Sequence, residues 1–154
     1  MAGNVKAKPD GYYTLTPYLY FEQGAKAIDW YKRALGARER MRLPGESPDK
    51  IGHAELEVGD SVLMMADSPD RAPSRLGNTS VAFVLYVDDV DAAFTKAIDA
   101  GATQVQPVED KFYGDRMGTL RDPFGHEWSL GTHIEDVSPE EMQRRMAALA
   151  PMAQ

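Results

Sequence analysis

Two stretches of the sequence follow one pattern and decide the fold. They are YTLTPYLYFEQGAKAIDWYKRALGA at residues 13–37 and SVAFVLYVDDVDAAFTKAIDAGA at residues 80–102. Each begins with a run rich in Tyr, Val, Leu and Thr, which is typical of a strand. Each then places apolar residues at helical spacing and stops at a glycine, Gly36 or Gly101. A strand followed by a helix is therefore predicted twice.

Equivalent residues of the two stretches are separated by a nearly constant number of positions. Tyr20 and Tyr86 lie 66 positions apart, whereas Gly36 and Gly101 lie 65 positions apart. The first copy therefore holds one extra residue, which we place near Gly24. Similarity of a chain to itself at a fixed period indicates a duplicated structural unit.

Three short strands are predicted after each helix. In the first copy they span residues 38–43, 50–58 and 61–66, and in the second copy residues 104–108, 118–121 and 126–130. Each copy is thus a βαβββ unit. The expected fold class is α+β, with two tandem βαβββ units forming curled mixed β-sheets around a cavity, plus a C-terminal helix.

The chain divides into five expected parts. They are an N-terminal arm at residues 1–11, a first unit at 12–66, a linker at 67–79, a second unit at 80–134 and a helical tail at 135–154. The linker is polar and lacks apolar periodicity.

The tail opens on Ser138-Pro-Glu-Glu141, which is a capping box, and then carries an apolar stripe at Met142, Met146 and Leu149. We interpret the tail as a helix that docks on its own body or on a dimer mate.

Composition narrows the classes of function. The chain has 154 residues, a formal net charge of -7 and no cysteine. An acidic chain lacks the clustered Lys and Arg that neutralise phosphates, so nucleic acid is not expected as a partner. Without thiols, disulfides and sulfur-ligated metals are excluded. No apolar run approaches the roughly 18 residues of a membrane span, so we expect a soluble, cytoplasmic protein without a membrane partner.

Three motifs carry a family resemblance: Ala27-Ile-Asp-Trp-Tyr31, Leu85-Tyr-Val-Asp-Asp-Val90 and Asp122-Pro-Phe-Gly-His126. With the repeated helix ends, they make residues 12–134 similar to the vicinal oxygen chelate superfamily (glyoxalase/bleomycin resistance protein/extradiol dioxygenase), in particular its small bacterial glyoxalase-like branch. The resemblance implies that a small molecule binds in a cavity between the copies and that the protein forms a homodimer. These motifs are specific for the family and not for a reaction.

The resemblance also implies where a metal would bind. In the family a divalent ion usually sits on four inward side chains, which fall here on Thr16, Met64, Ala82 and Ser129. None of the four is a histidine or a carboxylate, the donors that Zn, Ni, Fe or Mn need. We therefore expect no metal and no other cofactor, which places the usual metal-dependent isomerase, transferase and ring-cleavage reactions in doubt.

Strand alternation predicts which side chains face the cavity. Ala54, Leu56 and Val58 are expected to meet the helix, which leaves the polar residues of that strand on the other face. The same alternation turns inward four side chains that we expect to bind the ligand: Thr16, Tyr18, Tyr86 and Ser129. Inward tyrosines suit a planar or hydrophobic small molecule.

His53 and Glu55 are the catalytic candidates, because a carboxylate beside an imidazole can tune a general base. The alternative is an ordinary half-exposed strand whose polar residues point outward. A metal held by His53, Glu55 and Glu57 alone is disfavoured, since neighbours on one strand face lie roughly 7 Å apart.

One loop of the second copy offers an aromatic side chain and a cation. The resemblance places Tyr113 and Arg116 near the cavity mouth, where they would contact a polar or anionic ligand. The alternative is a surface ion pair between Asp115 and Arg116. We assign His126 to a turn and His133 to the surface.

The leading hypothesis is a glyoxalase/bleomycin-resistance-like protein that binds a small organic, partly apolar or aromatic molecule in the inter-unit cavity without the usual metal. The alternative is a lyase, isomerase or dioxygenase of the same superfamily that uses a non-standard site around His53 and Glu55. A third hypothesis is an interaction module whose Met-bearing tail recruits a partner.

Overall fold

The computed structural model describes residues 5–149 as two compact units, which divide between Thr79 and Ser80. Each unit contains one four-stranded sheet and one main helix that packs on it.

The first unit contains β1 (Tyr18–Phe21), α1 (Gly24–Leu35), β2 (Arg38–Pro44), β3 (Ile51–Val58) and β4 (Ser61–Asp67). A 3-10 turn (Pro69–Arg71) and the short helix α2 (Pro73–Leu76) follow. The strands lie in the order β1-β4-β3-β2, with β1 parallel to β4 and the other pairs antiparallel. A parallel pair needs a crossover connection, which α1 and the β2–β3 hairpin provide here.

The second unit contains β5 (Ala82–Tyr86), α3 (Val90–Asp99), β6 (Thr103–Asp110), β7 (Asp115–Arg121) and β8 (Glu127–His133), followed by α4 (Pro139–Leu149). Its strands lie in the equivalent order β5-β8-β7-β6, again with one parallel pair. The predicted fold class of two mixed βαβββ units and a C-terminal helix is confirmed.

Both sheets are interrupted at equivalent positions. In β2, Arg40 is skipped between the paired residues Glu39 and Met41. In β6, Val105 is skipped in the same way, 65 positions later. A β-bulge shared at one position supports the duplication independently of residue identities.

The extra residue of the first copy lies at the end of α1, so its placement near the start of the helix was wrong. The two N-cap residues, Gln23 and Asp89, lie 66 positions apart, yet α1 spans 12 residues and α3 only 10. The carbonyls that accept the closing hydrogen bonds, Tyr31 and Ala97, are still 66 apart. The extra residue therefore follows Tyr31, where it widens the last turn.

In the first unit, apolar and polar side chains lie on opposite faces of the sheet, as strand alternation predicts. Ala54, Leu56 and Val58 are buried on the face that α1 covers. The helix contributes a buried stripe of Ala27, Ile28, Trp30, Tyr31 and Ala34. The polar side chains of the same strands lie on the opposite face of the sheet.

The core of the second unit is braced by the Asp-Pro-Phe-Gly turn. Asp122 is 4% exposed, and its Oδ2 accepts a hydrogen bond from the buried Trp128 Nε1 at 3.0 Å. Its Oδ1 accepts from the backbone amides of Phe124 and His126 at 2.9 and 3.0 Å. His126 is thus buried within the turn to which we assigned it.

Several boundaries differ from the predictions. The strand expected from residue 13 begins only at Tyr18, because Pro17 has no amide to donate to a ladder. The linker contains the 3-10 turn and α2, and β6, β7 and β8 all extend further than predicted. None of the helices within residues 5–149 has the length and apolar character that crossing a bilayer requires.

Candidate functional site

The face of the first sheet opposite α1 collects aromatic and polar side chains. Tyr18 and Tyr20 come from β1, Met64 from β4, and His53 and Glu55 from β3. Tyr18 lies beside Met64 in parallel register, and Met64 lies beside Glu55 in antiparallel register. Alternation along each strand turns all five side chains to one side. We call this surface the tyrosine face.

A chain of hydrogen bonds crosses the tyrosine face. The Tyr18 hydroxyl lies 2.9 Å from His53 Nδ1, and His53 Nε2 lies 3.3 Å from Glu55 Oε1. Because an ionised carboxylate only accepts, an imidazole with one proton carries it on Nε2 here and accepts from Tyr18 at Nδ1. The Tyr12 hydroxyl donates to Glu55 Oε2 at 2.6 Å. Phenol, imidazole, carboxylate and phenol are thus joined in one line.

Glu55 is the buried centre of this line, with 4% of its surface exposed. Burial raises the pKa of the Glu55 carboxyl, but the hydrogen bonds from Tyr12 and His53 outweigh burial, so the pKa lies below its usual value. The Arg40 guanidinium, 4.0 Å from Glu55 Oε2, acts in the same direction. Glu55 is therefore held ionised at neutral pH.

The segment before β1, residues 5–17, lies against the tyrosine face and is here called the N-terminal arm, which extends past the arm predicted at residues 1–11. Arg40 places its guanidinium over the Tyr12 ring, 4.6 Å from the centroid, and donates to the Gly11 carbonyl at 3.2 Å. The Tyr13 hydroxyl donates to Asp60 at 3.2 Å. The sequence analysis predicted a strand from residue 13 and a ligand contact at Thr16, but it assigned Tyr12 no role, because the residues before it show no periodicity.

A cavity of about 590 Å³ lies between the arm and the sheet. Its lining residues come from the arm and from β4: Ala7, Lys8, Pro9, Tyr12, Tyr13, Thr14, Thr16 and Met64. Thr16 and Met64 are the two first-copy positions to which the resemblance assigns metal ligands. Cavities of this size accommodate small organic molecules.

The tyrosine face continues beyond the cavity along β1. The rings of Tyr18 and Tyr20 lie 5.2 Å apart, and the Tyr18 ring lies 5.5 Å from the His53 ring. Arg71, from the 3-10 turn, places its guanidinium 3.6 Å from the centroid of the Tyr20 ring. The face therefore ends on a cation stacked on an aromatic ring.

The second unit carries a separate polar cluster at the ends of β7 and β8. Asp115, which is 5% exposed, accepts from the Tyr86 hydroxyl at 2.7 Å and lies 2.7 Å from His133 Nδ1. His133 Nε2 lies 2.8 Å from Asp136 Oδ1. Hydrogen bonds with Asp136 and Asp115 raise the pKa of His133. His133 is half exposed, but its partners were missed because β8 was predicted to end at residue 130.

Arg116 is held by two carboxylates of its own unit. Its Nε lies 2.8 Å from Asp91 and its Nη1 lies 2.9 Å from Asp110. The alternative ion pair with Asp115 is wrong, since Asp115 faces His133 and Tyr86 instead. A guanidinium with two carboxylates already in place has fewer donors left for a ligand.

The two remaining predicted ligand residues of the second unit also have internal partners. The Tyr113 hydroxyl donates to Met117 Sδ at 3.3 Å. Ser129 Oγ lies 2.9 Å from Thr119 Oγ1. Thr16, Tyr18, His53 and Glu55 thus share the first unit, whereas Tyr86, Tyr113, Arg116 and Ser129 belong to the second.

The residues at the family's metal positions do not fit a divalent metal. Thr16 and Met64 line the cavity, and the Ser129 hydroxyl is hydrogen-bonded to the Thr119 hydroxyl. The side chain of Ala82 has no atom that could ligate a metal. Within the described residues 5–149, no three His, Asp or Glu side chains converge as a ligand set. A divalent ion at these four positions would find no histidine or carboxylate ligand.

Comparison with known proteins agrees with this architecture. The model of the Glyoxalase/Bleomycin resistance protein/Dioxygenase superfamily matches residues 15–130. An uncharacterized protein of Mycobacterium bovis is 42% identical over 142 residues, which are 87% of this chain and 92% of that protein.

Two solved structures are similar over most of this chain. Protein PA1353 from Pseudomonas aeruginosa is 29% identical with a TM-score of 0.63, covering 80% of this chain and 99% of its own. TioX from Micromonospora sp. ML1 is 28% identical with a TM-score of 0.62, covering 78% of this chain and 98% of its own. With its duplicated βαβββ units and the match over most of its length, the chain belongs to the Glyoxalase/Bleomycin resistance protein/Dioxygenase superfamily.

Proposed function

We propose that this protein binds a small, partly apolar or aromatic organic molecule and needs no metal to do so. The site is the cavity beneath the N-terminal arm together with the tyrosine face. One observation carries the proposal: the cavity lies at the family's first-copy metal positions, and Thr16 and Met64 line it there in place of metal donors.

The chemistry of the cavity walls supports this proposal. Tyr12 and Tyr13 present aromatic rings with hydroxyl groups, and Met64 presents a flexible thioether that adapts to the shape of a ligand. A mostly apolar wall with a few polar groups is typical of small-molecule sites, in which the polar groups orient the ligand.

A neutral planar probe, 2-naphthamide, tests the site. Its roughly 13 non-hydrogen atoms at about -0.3 kcal/mol each give a Kd of about 1 mM, which an NMR titration can follow. Thr16→Trp fills the cavity and is expected to weaken binding by about tenfold or more, a loss of about 1.4 kcal/mol. Ala82→Trp, at the equivalent position of the second copy, is the control. Equal losses in both variants, or no binding to wild type, would contradict the proposal.

Elemental analysis tests the metal-free part of the proposal. Protein purified without chelators is expected to hold far less than one divalent ion per chain, and added Zn²⁺ is expected to leave 2-naphthamide binding unchanged. One tightly bound divalent ion per chain would contradict the proposal that binding needs no metal.

A second candidate function is favoured by the aligned phenol, imidazole and carboxylate. In an enzyme of this superfamily, a lyase, isomerase or dioxygenase with a non-standard site, His53 Nδ1 would take the proton and Glu55 would stabilise the imidazolium. Tyr18, which is 40% exposed, would contact the substrate.

Proton exchange provides the test of this second candidate. The probe is 2-hydroxyacetophenone in deuterated water, and NMR follows the loss of its α-proton signals. We expect acceleration by wild type, loss of acceleration in His53→Ala, and retention in Glu57→Gln, whose carboxylate pairs with Arg38. Acceleration that survives in His53→Ala would remove the enzyme candidate.

We further propose that the protein is a cytoplasmic homodimer. Val84 and Tyr86 on β5 leave 60% and 59% of their surfaces exposed, which suits coverage by a partner copy. Size-exclusion chromatography with light scattering is expected to give twice the chain mass of 17.0 kDa, whereas a monomer mass would contradict the proposal. Cell fractionation checks the location.

A further inference from the structure

We propose that the molecule bound at the tyrosine face is an anion, specifically a planar aromatic acid whose carboxylate is held by Arg71 and whose ring lies against Tyr20 and Tyr18. This inference rests on the proposed binding function and adds the chemical class of the ligand.

The stacking of Arg71 leaves its hydrogen-bonding edge available. Its guanidinium carbon lies 3.6 Å from the centroid of the Tyr20 ring. A guanidinium stacked on a ring uses its flat surface for that contact, while its N–H donors point outward around the edge. Two neighbouring N–H donors of the guanidinium edge match the two oxygens of a carboxylate and can bind them through parallel hydrogen bonds.

No carboxylate among the described residues pairs with these Arg71 donors. Over residues 5–149, Arg71 forms no ion pair, although it is exposed and directly follows Asp70 in the chain. Arg75, four positions further on, instead pairs with Glu22 at 3.2 Å and with Asp70 at 3.6 Å. The charge of Arg75 is therefore neutralised by two carboxylates, whereas that of Arg71 is not.

The local charge at the tyrosine face is opposite in sign to that of the whole protein. The chain carries a net charge of -7, but the buried Glu55 faces Arg40 on this surface. Arg71 then adds a positive charge that nothing on the face balances. Its charge also reaches Tyr18, where it opposes the rise in pKa that burial and Tyr20 cause.

The aromatic row gives the ring of the ligand a surface to lie on. Tyr20 and Tyr18 lie 5.2 Å apart with their planes tilted by 32°, and His53 continues the row. Tyr18 donates its hydroxyl proton to His53, so its oxygen is free to accept a hydrogen bond from a substituent of the ligand. A ligand whose ring lies on this row and whose acid group lies at Arg71 would contact Tyr18, Tyr20 and Arg71.

The experiment compares two probes of the same shape, 2-naphthoate and 2-naphthamide, by NMR titration or calorimetry. Wild type is expected to bind the anion about tenfold or more tightly than the amide, as a charge-assisted pair predicts. Arg71→Gln is expected to bring the anion down to the affinity of the amide and to leave the amide unchanged. Arg75→Gln removes the same formal charge from the same segment and is expected to change neither.

Salt provides a second measurement that needs no variant. Binding of 2-naphthoate to wild type is expected to weaken between 50 mM and 500 mM NaCl, whereas binding of 2-naphthamide is expected to stay constant, because salt screens only the charged probe. If the amide binds and the anion binds no better, the anionic ligand is overturned while the proposed function stands. If neither probe binds, both are overturned. Equal losses in Arg71→Gln and Arg75→Gln would show general charge attraction and also overturn the assignment to Arg71.

Discussion

Single residues on the tyrosine face have their properties set by partners that are distant in sequence. Glu55 is buried, yet its carboxyl is held ionised because Tyr12 and His53 donate to it and Arg40 lies beside it. Tyr12 comes from the arm, 43 positions earlier in the chain. The chemistry of Glu55 therefore depends on the arm being in place.

Removing one hydroxyl tests this dependence. In Tyr12→Phe, the pKa of Glu55 is expected to rise, because the variant removes a hydrogen bond to the ionised form and leaves the cost of burial. Carbon-detected NMR of the Glu55 carboxyl during a pH titration measures it. Tyr13→Phe is the matched control, since that hydroxyl donates to Asp60. A Glu55 titration that is the same in all three proteins would contradict the role of Tyr12.

Asp122 is the residue whose loss is expected to cost the second unit most stability per atom removed. Asp122→Ala leaves the Trp128 Nε1 and two backbone amides without their acceptor in a buried place. We expect a loss of about 2–4 kcal/mol in the free energy of unfolding, measured by urea titration. Asp88→Ala, at an exposed position, is expected to change it by less than about 0.5 kcal/mol. Similar losses in both would refute the bracing role of Asp122.

At the level of elements, the bulge in β2 places two consecutive side chains on one side of the sheet. Glu39 pairs with Leu56 of the helix-covered face, so alternation turns Arg40 to the tyrosine face, where it meets Tyr12 and Glu55. Because Arg40 is skipped in the pairing, Met41 also lies on the tyrosine face, beside Glu55. The equivalent bulge in β6 carries Val105, so both copies have the bulge but only the first has an arginine there.

The helix α4 begins as the capping box predicts and is anchored by ion pairs. The Ser138 hydroxyl accepts from the Glu141 amide at 3.2 Å. Arg145 lies 2.7 Å from Glu135 and 2.8 Å from Glu141, and it donates to the Phe112 carbonyl at 3.2 Å. The tail is thus tied to its own unit by one arginine.

Two adjacent arginines allow a matched test of this anchor. In Arg145→Ala, amide hydrogen exchange within residues 139–149 is expected to become several-fold faster, because the contacts outside the helix are lost. Arg144 pairs only with Glu141 of the same helix in the described chain, so Arg144→Ala is expected to have a smaller effect. The opposite order of the two variants would contradict anchoring by Arg145.

At the level of the whole molecule, duplication preserved the backbone and changed the chemistry. Tyr18 lies beside Met64 in the first sheet, and Val84 lies beside Ser129 at the equivalent place in the second. Thr119, beside Ser129, stands where Glu55 stands beside Met64. The polar line of the first unit is therefore not repeated at these positions of the second, whose cluster of Tyr86, Asp115 and His133 lies at the ends of β7 and β8.

The pH dependence of stability is expected to reflect the cluster of His133 and Asp115. The pKa of His133 is raised above its ordinary 6.5, so its contribution is complete below pH 6.5 and is lost as pH rises through the raised pKa. Burial raises the pKa of Asp115, but His133 and Tyr86 lower it on balance, so its contribution is complete above its ordinary 3.8 and is lost as pH falls through the lowered pKa.

Urea midpoints between pH 3 and pH 9 measure this effect. Wild type is expected to lose stability above pH 6.5 relative to His133→Gln, whose midpoint lacks this decline. Asp136→Asn is expected to weaken the decline without removing it, because Asp115 remains beside the imidazole. Parallel pH profiles for wild type and His133→Gln would refute the assignment.

Most of the fold was predictable from the sequence because it depends on local patterns. Period-two and helical spacing, terminal glycines and the Asp-Pro-Phe-Gly turn each act within a few residues, and the duplication reinforced every assignment. The family resemblance indicated positions 16, 64, 82 and 129, and the repeat offsets of 66 and 65 pair them across the two copies. Their lack of metal donors is a property of the sequence alone.

The candidate site was only partly predictable. Alternation placed Tyr18, His53 and Glu55 on one face, but Tyr12, Arg40 and Arg71 joined them without any local signal. An arm, the strand β2 and a 3-10 turn brought these three side chains there, and each depends on packing between segments that are far apart in the chain. The sequence by itself determined two βαβββ units, whereas only the tertiary structure decided which charges and rings meet on the tyrosine face.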